Sequence, residues 1–373
     1  MKVFLFYVSA GQGHKKSAEA LHEEFEKRGF LQTGSDLRLI DALNYTHFLF
    51  GRGYGFFYFS IVKYAPWFWG FLYQLTDRVV PNFILAPLRS WHNSIQAKRL
   101  ESFLAQENPD LVICTHFFPA EVASRLKREN KITSKIVVVV TDFLVHRFWV
   151  NPGTDFYVGM MEETKEALVQ LAVRTEKIKI FGIPVSSRFL SKIDDEAIRK
   201  NLSLEAGRFT ILITSGSFGS GPIREAVLRM QALSGKIQVI VVCGINGKLY
   251  NELKYFRAPF PMAVLGFVDN MHELMGVADI IVSRSSGLTT CESLVRGVPM
   301  VIISQIPGQE AHNADLLRKH GAAFCVSDSN GFVNLIADLV QNQEKLDSVR
   351  SELKKMARPR AAHDIVDFSL SSL

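Results

Sequence analysis

The sequence predicts an α/β protein made of two doubly wound domains. Short apolar runs such as Val3–Val8 and Leu111–Cys114 alternate with amphipathic stretches such as Lys15–Lys27, which is typical of parallel sheets covered by helices on both faces. This pattern closes at Gly182-Ile183-Pro184 and restarts at Thr210–Thr214. The length of 373 residues also suits two domains at about 150 residues each.

We expect residues 1–184 to form an N-terminal domain and residues 185–355 to form a C-terminal domain, with a cleft between them. Ligands of such sheets bind beyond the carboxyl ends of the strands. The stretch 356–373 is expected to cross back to the first domain. The other predicted strands are Leu37–Ile40, Ile136–Val140, Phe156–Val158 and Ile178–Phe181 in the first domain, and Ile237–Val242, Met262–Leu265, Asp279–Val282, Met300–Ile303 and Ala323–Val326 in the second.

The composition excludes several protein classes. A hydrophobic fraction of 47% with a net charge of only +6 is unlike that of disordered chains. The four cysteines are widely spaced and form no CxxC pair, which predicts reduced thiols in a cytoplasmic protein. The run Val3–Val8 is short and leads into a glycine turn, so a buried strand is favoured over a signal peptide. No metal-binding motif is visible, and no metal or other cofactor is expected.

Residues 45–100, which we call the aromatic segment, hold most of the excess positive charge. They contain six Lys or Arg residues against the single acid Asp77, together with 16 of the 41 aromatic residues. The longest charge-free stretch here, Tyr64–Thr76, is shorter than the about 20 apolar residues of a membrane-spanning helix. We therefore expect a protein that is soluble or peripheral to a membrane.

A glycine turn, Ser9-Ala10-Gly11-Gln12-Gly13-His14, follows the first strand and opens the first helix. Glycines such as Gly13 allow backbone amides to approach an anion, and a helix N-terminus adds partial positive charge. A dinucleotide-binding turn would have a third glycine where Lys16 stands. At a helix N-terminus the His14 imidazole would stay neutral, which suits a general base. An ordinary strand-to-helix turn is the alternative.

A second glycine-rich loop follows the first strand of the second domain. Gly216, Ser217, Gly219 and Gly221 combine glycines with a hydroxyl at a strand–loop–helix junction, as in an anion-binding nest. The Lys-Ser/Thr pair of a P-loop is missing. Two such loops, one in each domain, indicate a ligand that contains a pyrophosphate, although a flexible turn is the alternative here.

The run from Val282 to Asn313 contains a third set of candidates. The Glu292 carboxylate, one to two turns into a helix, could accept two hydrogen bonds from a ribose diol. Polar groups after the next strand suit the recognition of sugar hydroxyls. Considered one by one, each residue could belong to an ordinary helix N-terminus or be an exposed polar side chain. The candidates for ligand binding are Ser286, Gly287, Leu288, Thr289, Glu292, Gln309, Glu310 and Asn313.

The stretch Thr141–Trp149 follows a predicted strand and places an acid, a histidine and an aromatic residue at its carboxyl end. Asp142 could cap the loop and His146 could be partly buried, so the functional interpretation stays open at this point. His116 has a similar position after the strand Leu111–Cys114.

Together these motifs resemble glycosyltransferases of family 28 with the GT-B fold, in the branch of monogalactosyldiacylglycerol synthases and processive diacylglycerol glucosyltransferases. The resemblance covers nearly the whole chain. At Arg284-Ser285-Ser286 the chain departs from the Lys-Pro-Gly-Gly that lipid-specific members often carry. The matching motifs are Gly11-Gln12-Gly13-His14, Thr141-Asp142 with His146 and Trp149, Gly182-Ile183-Pro184, residues 266–271, residues 286–294 and Pro307-Gly308-Gln309-Glu310.

The resemblance implies an inverting, metal-independent transfer of glucose or galactose from UDP-glucose or UDP-galactose to diacylglycerol, which gives a β-glycoside. His14 would be the base that removes the acceptor proton. The implied donor contacts are Gly13 and Gly216 to Gly221 for the diphosphate, Ser286 to Thr289 for the leaving UDP, Glu292 for the ribose, Gln309, Glu310 and Asn313 for the sugar, and the backbone near Phe267 and Val268 for the uracil.

Given this resemblance, we interpret the aromatic segment as the part of the protein that binds peripherally to the inner face of the cell membrane. Aromatic rings lie at headgroup depth and cations meet anionic lipid at such an interface. A buried helical insertion is the alternative, and no nucleic-acid partner is expected. The residues expected near the acceptor or the membrane are Tyr64, Trp67, Trp69, Asp142, His146 and Trp149.

Other activities remain open at this stage. A transferase to another lipid-linked acceptor, such as a peptidoglycan precursor, shares many of these features. A UDP-sugar epimerase of the same fold and a non-catalytic, membrane-docked UDP-sugar sensor are further alternatives. A dehydrogenase is disfavoured because neither glycine loop has the dinucleotide-binding spacing.

Overall fold

The computed structural model describes residues 1–9, 11–46, 60–61, 64–77, 97–326 and 328–373. The chain divides into two compact units. The first unit comprises Met1–Ser186, Pro307–Gln309 and Arg360–Leu373, and the second comprises Ser187–Ile306 and Glu310–Pro359. Much of the aromatic segment lies outside the described residues, including Arg52, Lys63, Arg78, Arg89 and Trp91.

The first unit is built on a six-stranded parallel sheet with the strand order β2-β1-β3-β4-β5-β6. Val3 of the first strand pairs with Leu37 on one side and with Leu111 on the other. The strands are β1 (Lys2–Tyr7), β2 (Asp36–Asp41), β3 (Leu111–Cys114), β4 (Lys135–Val139), β5 (Phe156–Gly159) and β6 (Ile178–Ile180).

Helices cover both faces of this sheet, because its central strands are apolar on both sides. Phe4 and Phe6 of β1 belong to one hydrophobic cluster, and Val3 and Leu5 belong to the cluster on the opposite face, as the two-residue period of a strand requires. The helices described in residues 1–186 are α1 (Gln12–Lys27), α2 (Pro66–Asp77), α3 (Lys98–Glu107), α4 (Phe117–Arg128) and α5 (Glu162–Gln170).

The second unit repeats the design with the strand order β12-β11-β10-β7-β8-β9, again all parallel. Its strands are β7 (Phe209–Thr214), β8 (Ile237–Val242), β9 (Met262–Leu265), β10 (Ile280–Arg284), β11 (Met300–Ser304) and β12 (Ala323–Cys325). Its helices are α6 (Asp195–Asn201), α7 (Ile223–Arg229), α8 (Gly247–Lys254), α9 (Met271–Gly276), α10 (Gly287–Arg296), α11 (Gln309–Lys319), α12 (Ser329–Gln341) and α13 (Gln343–Met356). The first residue of α11, Gln309, is grouped with the first unit.

The C-terminal helix α14 (Ala361–Ser371) belongs to the first unit and packs on α1. Ile365 and Val366 are fully buried in the hydrophobic cluster on the α1 side of the sheet. The Arg28 guanidinium pairs with Asp367 at 3.1 Å and donates to the carbonyl oxygen of His363 at 3.0 Å. The end of the chain therefore completes the core of the unit in which the chain begins.

Because each sheet is parallel, the loops that follow its strands gather at one edge. In the first unit Thr115 and Thr141 lie in these loops, and His14 lies in the first turn of the helix that follows β1. In the second unit the glycine-rich loop 215–221 follows β7, and Arg284 is the last residue of β10. Among the described helices, none combines the length and the apolar composition needed to cross a bilayer.

Candidate active site

His14 lies in the first turn of α1, beside the carboxyl ends of β3 and β4. Its Nδ1 is 2.7 Å from the carbonyl oxygen of Thr115 and 2.9 Å from Oγ1 of Thr141. A carbonyl oxygen can only accept a hydrogen bond, so Nδ1 carries the proton of the neutral imidazole and donates it. The lone pair of the ring is therefore on Nε2, the atom that a general base would use.

The buried Thr115 fixes the position of His14 through further hydrogen bonds. Its backbone N–H donates to the carbonyl oxygen of Phe6 at 2.9 Å, and its Oγ1 donates to the carbonyl oxygen of His14 at 2.9 Å. Because Thr115 follows β3 and Phe6 lies in β1, the hydroxyl joins the helix start to two adjacent strands. Thr115 and Thr141 were not predicted as site residues, although Thr141 opens the quoted Thr-Asp motif.

Burial keeps the His14 ring neutral. Loss of solvation lowers the pKa of His14 to about 4, while the hydrogen bond to Thr115 opposes this by favouring the protonated ring. The ring of His116 meets that of His14 edge to face, with centroids 4.6 Å apart. Burial, and then the neighbouring His14, hold the pKa of His116 well below its usual range. The neutral state that the sequence predicted from the helix N-terminus thus has burial as its largest cause.

The wall beside His14 is aromatic. Trp149 is 2% exposed, and its ring centroid is 6.3 Å from that of His14 and 6.4 Å from that of His116. Nδ1 of His116 accepts the backbone N–H of Phe118 at 3.1 Å and so caps the start of α4. A hydroxyl that reaches Nε2 of His14 would therefore be next to a mostly apolar surface.

His146 fastens the loop after β4 to helix α2. Its Nδ1 accepts the backbone N–H of Phe148 at 3.2 Å, so Nε2 carries the proton and donates to the carbonyl oxygen of Tyr73 at 3.3 Å. The backbone N–H of Arg147 donates to the Asp77 carboxylate at 3.1 Å. Like Trp149, His146 is buried, and neither side chain is available to a membrane surface. Their contact with an acceptor remains a prediction.

Gln309 lies beside Asp142 within the first unit. The Gln309 side-chain amide donates to the Asp142 carboxylate at 3.1 Å. The preceding Gly308 has φ of 99°, and a Cβ at this position would be 2.8 Å from Cγ of Tyr73. The chain can therefore make this close approach only with glycine. Of the three predicted sugar-binding residues, Gln309 belongs to this unit, while Glu310 and Asn313 belong to the second.

Helix α2 and the short stretch before it expose aromatic side chains. Tyr64 precedes α2, and Trp67, Phe68 and Phe71 lie at i, i+1 and i+4 on one side of that helix. They are 76%, 73%, 38% and 57% exposed. Trp69, which was also predicted near the acceptor or membrane, is only partly exposed. We call the four exposed residues the aromatic face.

The glycine loop of the second unit adopts a conformation that requires glycine. Gly216, Gly219 and Gly221 have φ of 67°, 56° and 109°, in the left-handed region. A side chain on Gly219 would overlap the carbonyl oxygen of Cys243. The backbone N–H of Ile245 also donates to the carbonyl oxygen of Ser217 at 2.8 Å. The loop after β7 is thus held against the loop after β8, and binding of an anion by this loop remains a prediction.

A buried ion pair that the sequence did not predict lies at the end of β10. Nη1 of Arg284 is 3.6 Å from Oε1 of Glu310, and the two side chains are 14% and 10% exposed. Oε2 of Glu310 accepts the backbone N–H of Ile306 at 3.0 Å. Burial raises the pKa of Glu310, and Arg284 and the Ile306 N–H oppose that rise. Arg284 could have been identified as a candidate from its position in the sequence, directly before the helix start at Ser285-Ser286-Gly287.

The remaining candidates also lie after the strands of the second unit. Asn313 is buried, and its side-chain amide donates to the carbonyl oxygen of Ser285 at 2.9 Å. Ser286 is the N-cap of α10, in which Glu292 is half-buried two turns on. Gly287 is buried there, whereas Leu288 and Thr289 are half-buried. Phe267 is 48% exposed beyond β9, next to a half-buried Val268.

The chemistry available in each unit follows from these groups. The first unit offers a neutral imidazole whose Nε2 can take a proton. The second offers backbone amides, the start of α10 and a guanidinium, all of which suit an anion. Within the described ranges, no three His, Cys, Asp or Glu side chains cluster as a metal site would need.

The fold is shared with structures of sugar-nucleotide enzymes. MurG of Acinetobacter baumannii matches with a TM-score of 0.63 at 14% identity, over all of both chains. Anabaena Alr3699/HepE, solved in complex with UDP-glucose, matches with a TM-score of 0.60 at 13% identity, again over both whole chains. The UDP-GlcNAc 2-epimerase of Neisseria meningitidis, bound to UDP-GlcNAc, matches over both whole chains with a TM-score of 0.65 at 14% identity. The predicted two-domain GT-B fold class is confirmed.

Sequence relatives point to one group of transferases. A processive diacylglycerol beta-glucosyltransferase of Bacillus cereus is 28% identical over an alignment that covers 99% of this chain and 93% of that protein. The enzyme of the same name from Bacillus anthracis matches to the same extent.

Two family models match consecutive parts of the chain. The model for monogalactosyldiacylglycerol (MGDG) synthase matches residues 14–185, and the model for the glycosyltransferase family 28 C-terminal domain matches residues 210–365. The protein therefore belongs to glycosyltransferase family 28, in the group of the monogalactosyldiacylglycerol synthases and the diacylglycerol glucosyltransferases.

Proposed function

We propose that this glycosyltransferase moves a hexose from a UDP-sugar to the hydroxyl group of diacylglycerol, with inversion at the anomeric carbon and without a metal ion. The observation that carries the proposal is the neutral His14 ring, whose Nδ1 proton is engaged by Thr115 and whose Nε2 is left as a base. The diacylglycerol acceptor is supported by the names of the Bacillus relatives.

In this mechanism Nε2 of His14 accepts the proton of the acceptor hydroxyl while the oxygen attacks the anomeric carbon. The bond from that carbon to the phosphate oxygen breaks, and UDP leaves with the bonding electrons. Attack opposite to the leaving group converts an α-linked donor into a β-glycoside. The Thr115 carbonyl stabilises the imidazolium that forms, because its hydrogen bond to Nδ1–H strengthens as the ring becomes charged.

The second unit is proposed to hold the donor. The loop Gly216–Gly221 would bind the diphosphate through backbone amides, and the start of α10 would add a helix N-terminus. Glu292 would accept hydrogen bonds from the ribose, and the backbone after β9 would bind the uracil. Such preorganised donors stabilise the charge that develops on the leaving UDP.

Two names bear on the identity of the sugar, and they differ. The family model for the N-terminal part is named after a galactolipid synthase, whereas the full-length Bacillus relatives are named as glucosyltransferases. Since the relatives match along the whole chain, including the proposed donor-binding unit, we propose glucose as the preferred hexose and galactose as the alternative.

We further propose that the protein binds peripherally to the inner face of the cell membrane through the aromatic face of α2. Exposed Trp67 and Phe71 offer apolar area on a helix that His146 ties to the unit. Amphipathic aromatic rings favour the headgroup region of a bilayer. Lys98, Arg99 and the other cations of the aromatic segment would add attraction to anionic lipid.

Incubation of the protein with diacylglycerol liposomes and either UDP-glucose or UDP-galactose tests the proposed reaction. We expect mass spectrometry to detect a hexosyl diacylglycerol, NMR of the product to show a β linkage, and a chelator such as EDTA to leave the rate unchanged. Product only from a lipid-linked peptidoglycan precursor, or conversion of the UDP-sugar without any acceptor, would contradict the proposal.

The variant His14→Asn tests the role of the base. The asparagine amide can still donate to Thr115 in place of Nδ1–H, but nothing replaces Nε2. We expect transfer to fall by about 10²- to 10⁴-fold, the usual contribution of general base catalysis, while UDP binding is retained. His22→Asn, on the same helix beside Glu26, is the matched control and is expected to keep the wild-type rate. Near-normal transfer by His14→Asn would exclude the role.

The double variant Trp67→Ala, Phe71→Ala tests the membrane proposal by vesicle co-sedimentation. Each lost ring removes about 1 to 2 kcal/mol of apolar burial, so the loss of both should weaken binding at least about tenfold. Wild-type binding is expected to rise with the anionic lipid fraction and to fall with salt. Tyr255→Ala removes an equally exposed aromatic ring from the second unit and is expected to change nothing. Equal losses in both variants, or salt-independent binding to neutral vesicles, would contradict the proposal.

A further inference from the structure

Arg284 has a buried guanidinium group that the described contacts leave incompletely bonded. Its side chain is 14% exposed, and its Nε is buried without a hydrogen-bond partner among the described residues. The ion pair with Glu310 is 3.6 Å long, beyond the about 2.7–2.9 Å of a charge-assisted hydrogen bond. A buried charge in this condition is unfavourable unless another partner binds it.

The same guanidinium lies along the glycine loop. β10 and β7 are neighbours in the sheet, with Val282 paired to Ile213, and Arg284 is the last residue of β10. A Cβ on Gly216 would be 3.5 Å from Nη2 of Arg284, and one on Gly221 would be 3.9 Å from its Cδ. The Arg284 side chain therefore lies within van der Waals range of both ends of the loop.

The guanidinium of Arg284 and the backbone amides of the glycine loop complement each other as ligands for a diphosphate. The nest offers only partial charges from backbone amides, whereas a diphosphate carries at least two full negative charges. A planar guanidinium has five N–H donors and binds phosphate oxygens in pairs. Glu310 is the carboxylate that holds Arg284 at 3.6 Å in this structure, and a diphosphate would compete with it for the same donors.

We propose that Arg284 is the cation that binds the diphosphate of the nucleotide donor and stabilises the negative charge of the leaving nucleotide. This inference rests on the UDP-sugar donor proposed above. It assigns Glu310 the role of holding the guanidinium before the donor binds, in addition to any contact with the sugar.

Binding of UDP and of uridine to four proteins tests the proposal: wild type, Arg284→Gln, Glu310→Gln and the double variant. Uridine lacks phosphate, so its affinity reports whether the unit is intact. We expect Arg284→Gln to weaken UDP binding by about ten- to a hundredfold, as for loss of a charged hydrogen-bond donor, with uridine binding unchanged. Glu310→Gln should tighten UDP binding because it removes the competing carboxylate. The double variant should match Arg284→Gln.

Other outcomes separate the possible failures. If wild-type protein does not bind UDP, the proposed donor is wrong and the inference falls with it. If wild type binds UDP but Arg284→Gln binds it equally well, only the role of Arg284 is wrong. If Arg284→Gln and Glu310→Gln both weaken UDP and uridine to the same extent, the pair is a purely structural ion pair, and the inference is likewise overturned.

Discussion

The hydrogen bond from Nδ1 of His14 to the carbonyl oxygen of Thr115 is the interaction on which the site of the first unit depends. It fixes which ring nitrogen carries the proton, and so which one can act as a base. The bond exists because β1 and β3 are adjacent, so that the helix after one strand meets the residue after the other. Burial then holds the pKa of His14 near 4, and the ring remains neutral across the physiological range.

The candidate site of the second unit combines the backbone amides of a glycine-rich loop with the positive charge of Arg284. The left-handed glycines of its loop allow a backbone conformation in which amides can converge, and the neighbouring loop after β8 holds that conformation in place. Arg284 lies in the same unit at a strand end, where its charge is incompletely neutralised by Glu310. In the proposed reaction, proton removal belongs to the first unit and binding of the leaving group belongs to the second.

Much of the fold could be predicted from the sequence because buried parallel strands are short, apolar and regularly spaced. The partners of His14 could not be predicted, since Thr115 and Thr141 are 101 and 127 residues away and only the sheet order brings them to the ring. The sequence motif also did not predict which of its side chains are buried in the structure. His146 and Trp149 share a motif with Asp142, yet the first holds α2 and the second lines the wall beside His14.

The most direct test of this account is the pH titration of the His14 ring by ¹⁵N NMR, assigned by comparison with the spectrum of His14→Asn. We expect a neutral ring with its proton on Nδ1 from neutral pH down to about pH 5, and a midpoint near 4. A midpoint near the ordinary 6.5, or a neutral ring with its proton on Nε2, would contradict the assignment of Nε2 as the base.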